Sequence, residues 1–221
     1  MQKIKYLITD VDGVIFDTVP TILAAGAKIM QSFGISKELV YSYAKNSLGA
    51  PIECQIRGFM AKTGKSINYD EVMELVKNFW NELENHPVEL FPGVKETLDG
   101  LKTRGIIILA STGSNTAKTR KLFEKFGLPY DFSLGSDEIM KGDAHIEIFA
   151  KHFSIPKNVF CRQAAFVGDG TVDMEIAARN RIFGIGITNS IPAAPLLAAG
   201  AKVIVSEFKE ISFSIESDRI K

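Results

Sequence analysis

Cysteine is nearly missing from this chain of 221 residues. Only Cys54 and Cys161 occur, far apart and outside any CxxC pair, which excludes a disulfide framework and a thiolate zinc site as organising features. Both are expected to be reduced and packed. Histidine is scarce too: His86, His145 and His152 show no metal-ligand spacing with cysteine or with one another, and are read as structural or exposed. Charge of neither sign is in excess, with 26 Lys plus Arg against 26 Asp plus Glu. That balance removes the electrostatic footprint of a nucleic-acid-binding face but leaves room for a local basic pocket for a small anion. No apolar run approaches the length of a membrane-spanning helix. Met1–Lys5 lead into an apolar stretch too short for the core of a signal peptide and without its small-residue cleavage pattern, so a cytoplasmic location is expected. Internal repeats and low-complexity tracts are absent.

What is present is an alternation of short apolar strands with amphipathic helices, in a chain that is 46% hydrophobic. The pattern predicts an α/β fold with a doubly wound, mainly parallel, Rossmann-like sheet. Strands are expected at Tyr6–Asp10, Ile106–Ser111, Ala164–Gly168, Phe183–Ile187 and Lys202–Val205. Core helices are expected at Val94–Arg104, Asn115–Phe126, Asp143–Phe153, Val172–Asn180 and Ala193–Ala199. The stretch from Pro20 to Pro87 breaks the alternation. It holds no convincing strand, and its periodicity suggests helices near Thr21–Phe33, Lys37–Asn46, Ile52–Lys62 and Tyr69–Asn85. The expected division is therefore a core of residues 1–18 and 88–221 with an all-helical insert at 19–87. The tail Glu207–Lys221 reads as a final strand or helix.

Four segments carry chemistry. The first strand ends in Asp10-Val11-Asp12-Gly13, where alternation can bring two carboxylates together, although an ordinary Asp-Gly turn would look the same. The second expected strand ends in Ser111-Thr112-Gly113-Ser114-Asn115 ahead of a helix. Backbone N–H groups at a helix start favour an anion, Ser111 can add a hydroxyl donor, and Ser114 or Asn115 can serve as N-cap. Lys141 stands alone at a loop-to-helix junction, where it could neutralise both Asp10 and a phosphate. The strand Ala164–Gly168 runs into Asp169, with Asp173 in the first turn of the next helix. Carboxylates gathered at strand ends need a compensating charge, and oxygen ligands suit magnesium.

Taken in order, DVDGV, the strand ending in Ser111, Lys141 and GDGTVD resemble the four motifs of the haloacid-dehalogenase-like hydrolase superfamily. The insert is similar to that superfamily's first-type helical cap, and the segment from Phe91 to Gly105 resembles the helix by which its members re-enter the core. The subgroup looks like the phosphoglycolate-phosphatase and sugar-phosphate-phosphatase branch.

The resemblance implies a Mg2+-dependent phosphatase acting on a small phosphate ester through an aspartyl-phosphate. Asp10 would be the nucleophile and Asp12 the acid and base. Mg2+ would sit on the Asp10 and Asp169 carboxylates and the Asp12 carbonyl, with Asp173 supporting it. Ser111, Thr112, Gly113 and Lys141 would hold the phosphoryl oxygens. No nucleic acid or membrane partner is expected, and the protein would be a monomer or homodimer.

Two departures stand out. Gly142 follows Lys141 where many relatives have proline, and Leu48-Gly49-Ala50-Pro51-Ile52 stands where β-phosphoglucomutase relatives carry Lys-Gly-x-Ser-Arg. The second argues against a phosphomutase, which stays an alternative, as do a phospho-aspartate signalling module and an idle binding protein. The presence of Asp12 favours phosphate esters over carbon–halogen or carbon–phosphorus bonds. Asp17 and Thr18 are expected near the hinge of the insert, either touching substrate or forming a solvated turn, and Arg57 is read as a surface residue that could otherwise face a substrate carboxylate or second phosphate.

Overall fold

The computed structural model describes residues 3–44, 47–83 and 87–217. The expected helix ends at Asn46 and Asn85, and His86, fall outside these residues. Six strands form one entirely parallel sheet: β1 (Tyr6–Thr9), β2 (Ile107–Ser111), β3 (Phe132–Leu134), β4 (Ala164–Gly168), β5 (Phe183–Ile187) and β6 (Val203–Val205), in the spatial order β3-β2-β1-β4-β5-β6. β1 lies at the centre, with Leu7 opposite Ile108 on one side and Ala165 on the other. Strand β3 escaped the sequence reading because only three residues form it and Ser133 interrupts its apolar character.

Successive residues of β1 bury against opposite helical layers, which is why the strand is apolar through Ile8. Leu7 joins Ile108, Ala165 and Val167 in one cluster, closed by Val94, Leu98 and Leu101 of α5 (Val94–Thr103) and Phe123 of α6 (Thr116–Lys125). Ile8 joins Leu109 and Phe166 in the other. That side is closed by Phe149 of α7 (Asp143–His152), Phe160 of α8 (Lys157–Arg162) and Ile176 of α9 (Thr171–Arg179). Helix α8 was not anticipated, its six residues being too few to show a period. Helix α10 (Ala193–Ala198) precedes β6, and the tail resolves into a 3₁₀ turn at Phe208–Glu210 and α11 (Ile211–Ser217), whose Ile211 and Ile215 return to the first cluster.

Between β1 and α5 lie α1 (Val19–Gln31), α2 (Lys37–Ala44), α3 (Ile52–Thr63) and α4 (Tyr69–Leu83). They share an apolar cluster of their own, centred on Met30, Ile56, Phe59 and Val72. A separate small cluster, Leu48 with Met174, Ile191 and Leu196, ties the α2–α3 loop to the core. Cys161 is buried and Cys54 exposed, both as free thiols; the expectation that both are packed fails for Cys54, whose position on α3 faces outward.

Candidate active site

The sheet places its chemistry at the C-terminal ends of its central strands. Asp10 follows β1, Ser111 ends β2 and Asp169 follows β4. Strand order reverses between β1 and β4, the position where open α/β sheets leave a crevice for ligands. Asp10, Asp169 and Asp173 meet in this crevice, each offering a carboxylate oxygen within 4.8 Å of the others, and all three are buried. Lys141 Nζ joins them, 3.0 Å from Asp10 Oδ1 and 2.7 Å from Asp173 Oδ1. These are ion-pair distances, but the angles leave Lys141 Nζ and both Asp173 oxygens without a well-directed hydrogen bond.

Three carboxylates and one ammonium in a dry site are out of balance. Burial, then the Asp173 charge, holds Asp10 well above the ordinary carboxylate range against the pull of Lys141. Burial also pushes Asp169 up to about 7, helped by Asp10 and opposed by a hydrogen bond from Ser190. Asp173 is raised by burial, with Lys141 opposing. For Lys141, burial works against the charge, yet Asp10 and Asp173 outweigh it and hold the ammonium above its usual value. Such a cluster needs either protons or a further cation to persist. The donor set, all hard oxygens with Asp173 left under-bonded, fits a divalent metal.

Close packing builds the floor. Gly13 has φ +78°, and a methyl group there would overlap the Asp169 carboxylate. A methyl at Gly170 would overlap the Leu48 carbonyl, and one at Gly49 would come 2.7 Å from Asp173 Oδ2. The α2–α3 loop of the insert thus lies directly on the β4 loop and shuts the crevice to a cleft of about 70 Å³ that Asp10, Asp12, Asp169 and Gly113 line.

The expected residues do not all behave as expected. The Asp12 carboxylate stands apart from the acidic cluster: Thr18 donates to its Oδ1 and Ser114 to its Oδ2, both at 2.6 Å. Thr18 is therefore not a solvated turn residue, and Asn115, not Ser114, caps α6 by accepting from Lys118 N. The Thr112 N–H, expected to hold a phosphoryl oxygen, already donates to the Leu134 carbonyl at 3.0 Å because β2 pairs with β3 there. The Ser114 N–H likewise donates to Thr112 Oγ1, while Gly113 lies on the cleft wall. Ser111 Oγ sits 2.8 Å from His145 Nδ1. His145, expected to be structural or exposed, is buried, and the signal for its place beside the site is the spacing of four from Lys141 into the start of α7. Arg57 stacks over the Tyr69 ring, 3.8 Å from its centroid, within the insert.

The chain matches the haloacid dehalogenase-like hydrolase family over residues 7–187. It belongs to that family. Among curated relatives it is similar to a phosphoglycolate phosphatase of Haemophilus influenzae, 26% identical over 84% of this chain and 86% of that one. A phosphoglycolate phosphatase of Pasteurella multocida is 24% identical over 85% and 87%. A solved hydrolase from Pseudomonas syringae superposes with TM-score 0.80 at 19% identity, over 98% of this chain and 99% of that one. A phosphonoacetaldehyde hydrolase-like protein from Oleispira antarctica reaches TM-score 0.81 at 16% identity, over 98% and 92%. At these identities the two structures speak for the fold alone. The protein is a haloacid dehalogenase-like hydrolase, similar in sequence to phosphoglycolate phosphatases.

Proposed function

We propose that this chain hydrolyses a small phosphate monoester through a phosphoryl group carried on Asp10, with Mg2+ as cofactor. The observation that carries the reading is the meeting of Asp10, Asp169, Asp173 and Lys141 in one buried crevice at the strand-order reversal.

Asp10 attacks phosphorus, and the ester oxygen leaves with a proton from Asp12. Asp12 then takes a proton from water, which attacks the same phosphorus, releases inorganic phosphate and restores the Asp10 carboxylate. Thr18 and Ser114 aim Asp12 by holding both of its oxygens. Lys141 offsets charge on Asp10 and on the incoming phosphoryl group, and the Gly113 backbone supplies a donor to it. A divalent ion held by the Asp10 and Asp169 carboxylates and the Asp12 carbonyl, with Asp173 in support, would supply neutralisation between two like-charged partners.

Residues 19–87 form the cap in this reading and the remainder the core. A cleft of about 70 Å³ is far smaller than an ordinary ligand pocket of roughly 300 Å³ or more, so the cap lifts to admit substrate and closes to exclude water. Phosphoglycolate is the first substrate to test, on the strength of the named relatives. Arg57 is no candidate for its carboxylate, being stacked on Tyr69. The deciding experiment is a panel of phosphorylated metabolites assayed for released phosphate. Turnover that stops on chelation and in Asp10→Asn supports the reading. Undiminished turnover in chelator contradicts it, and a rearranged sugar phosphate without free phosphate would indicate a mutase instead.

A further inference from the structure

His145 is completely buried, at the first turn of α7, and both ring nitrogens are engaged: Nε2 lies 2.9 Å from the Ile139 carbonyl and Nδ1 2.8 Å from Ser111 Oγ. A carbonyl oxygen can only accept, so Nε2 carries the hydrogen. In the neutral ring Nδ1 is then a bare acceptor, and the Ser111 hydroxyl must donate to it. The hydrogen expected to meet a phosphoryl oxygen is thus committed to an inward-facing partner, and Ser111 presents lone pairs to whatever approaches it. Dianionic oxygens and lone pairs repel.

A proton on Nδ1 reverses the chain. Nδ1–H then donates to Ser111 Oγ, and the Ser111 hydrogen turns outward to the anion. We propose that His145 is a positioning residue that takes up one proton when a phosphoryl dianion binds, so that the run His145 Nδ1–H, Ser111 Oγ–H, phosphoryl oxygen points one way. The proposal rests on the reading of this crevice as a phosphoryl site. No bond other than those to hydrogen changes, and the proton comes from solvent.

The surroundings support a ring that is neutral until an anion arrives. Burial, with Lys141 adding to it, lowers His145 to about 4 although the Ile139 hydrogen bond opposes. Lys141 is the charge facing it from the preceding loop, and that charge is shared with Asp10 and Asp173. On its own helix, Asp143 is paired outward with Arg179 and Asn180, and Glu147 with Lys157. An added dianion beside Ser111 favours imidazolium, as any close opposite charge favours a charged form.

Sulfate is the probe, because it copies the charge and shape of a phosphoryl group without titrating near neutral pH. The experiment follows the ring nitrogens of His145 by NMR in the Mg2+-loaded protein as sulfate is added, with sulfate inhibition of aryl phosphate turnover measured across pH. The expected result is conversion of Nδ1 from a bare nitrogen to an N–H on binding. Inhibition should tighten as pH falls, by up to about tenfold per pH unit, and His145→Asn, which keeps an acceptor for Ser111 but cannot ionise, should lose this part of the slope. Sulfate that binds while Nδ1 stays bare would overturn the proposal and leave the phosphatase reading intact. Absence of any sulfate binding would overturn both. Should His145→Asn not fold, the wild-type spectra decide alone.

Discussion

The core and the insert pack by different rules. Helices α5 and α9, of ten and nine residues, each bury four side chains against the sheet or the site. Helix α1, of 13 residues, buries only Ala27 and Met30, and α2 only Ala44. The core carries the acidic cluster on strand ends locked by two helical layers, whereas the insert meets the floor at the α2–α3 loop, through Leu48 and Gly49, and at Val19 where α1 begins. Precision of charge placement needs the first kind of packing, and the opening and reclosing proposed for the cap needs the second.

The largest break in this comparison is chemical. Asp10→Asn should lower kcat by on the order of 10⁴-fold or more, as removal of a nucleophile does, while the thermal midpoint stays level or rises because a strained buried charge is gone. Steady-state assays and a melting curve check both halves. Next come matched large-to-small changes. Phe166→Ala removes a fully buried ring of β4 from the cluster shared with α7, α8 and α9 and should cost about 3–5 kcal/mol of global stability. Phe59→Ala, in the centre of the insert, should act through local opening instead: faster amide exchange in α1–α4, a raised KM and a smaller change in the main unfolding transition.

The pH prediction is smaller. His145 has its pKa depressed from 6.5 to about 4 in the folded chain, so the unfolded chain binds its proton first as pH falls. Its contribution is complete above about 6.5 and is lost as pH drops toward about 4, with a ceiling of about 3 kcal/mol. The difference in denaturation free energy between wild type and His145→Asn across that window measures it. Smallest of all, Arg57→Ala should cost no more than about 1 kcal/mol, the worth of an exposed cation–π pair, and leave kcat/KM unchanged.

Much of this architecture is written locally. The run Tyr6–Ile8 is apolar on both faces because it belongs to a central strand, and that signal is visible without any partner. Asp10 and Asp169 stand out because each follows a strand, and Lys141 because it stands just ahead of a helix. What escaped depends on distant pairing. Nothing near Thr112 shows that Leu134 will take its N–H, and nothing near His145 names Ser111 as its neighbour. Strand β3 and helix α8 are too short to show periodicity and are fixed by what they pack on. The seating of Leu48 on Gly170 was equally hidden, since the glycine's purpose lies more than a hundred residues away in sequence.

The central claim is that the buried carboxylates share one divalent ion beside Asp10. Calorimetric titration of the metal-free protein with Mg2+, repeated on Asp169→Asn, tests it most directly. The account predicts a single binding event in the wild type that is abolished or severely weakened in the variant. Equal Mg2+ affinity in both proteins, or no binding alongside full turnover in chelator, would contradict it.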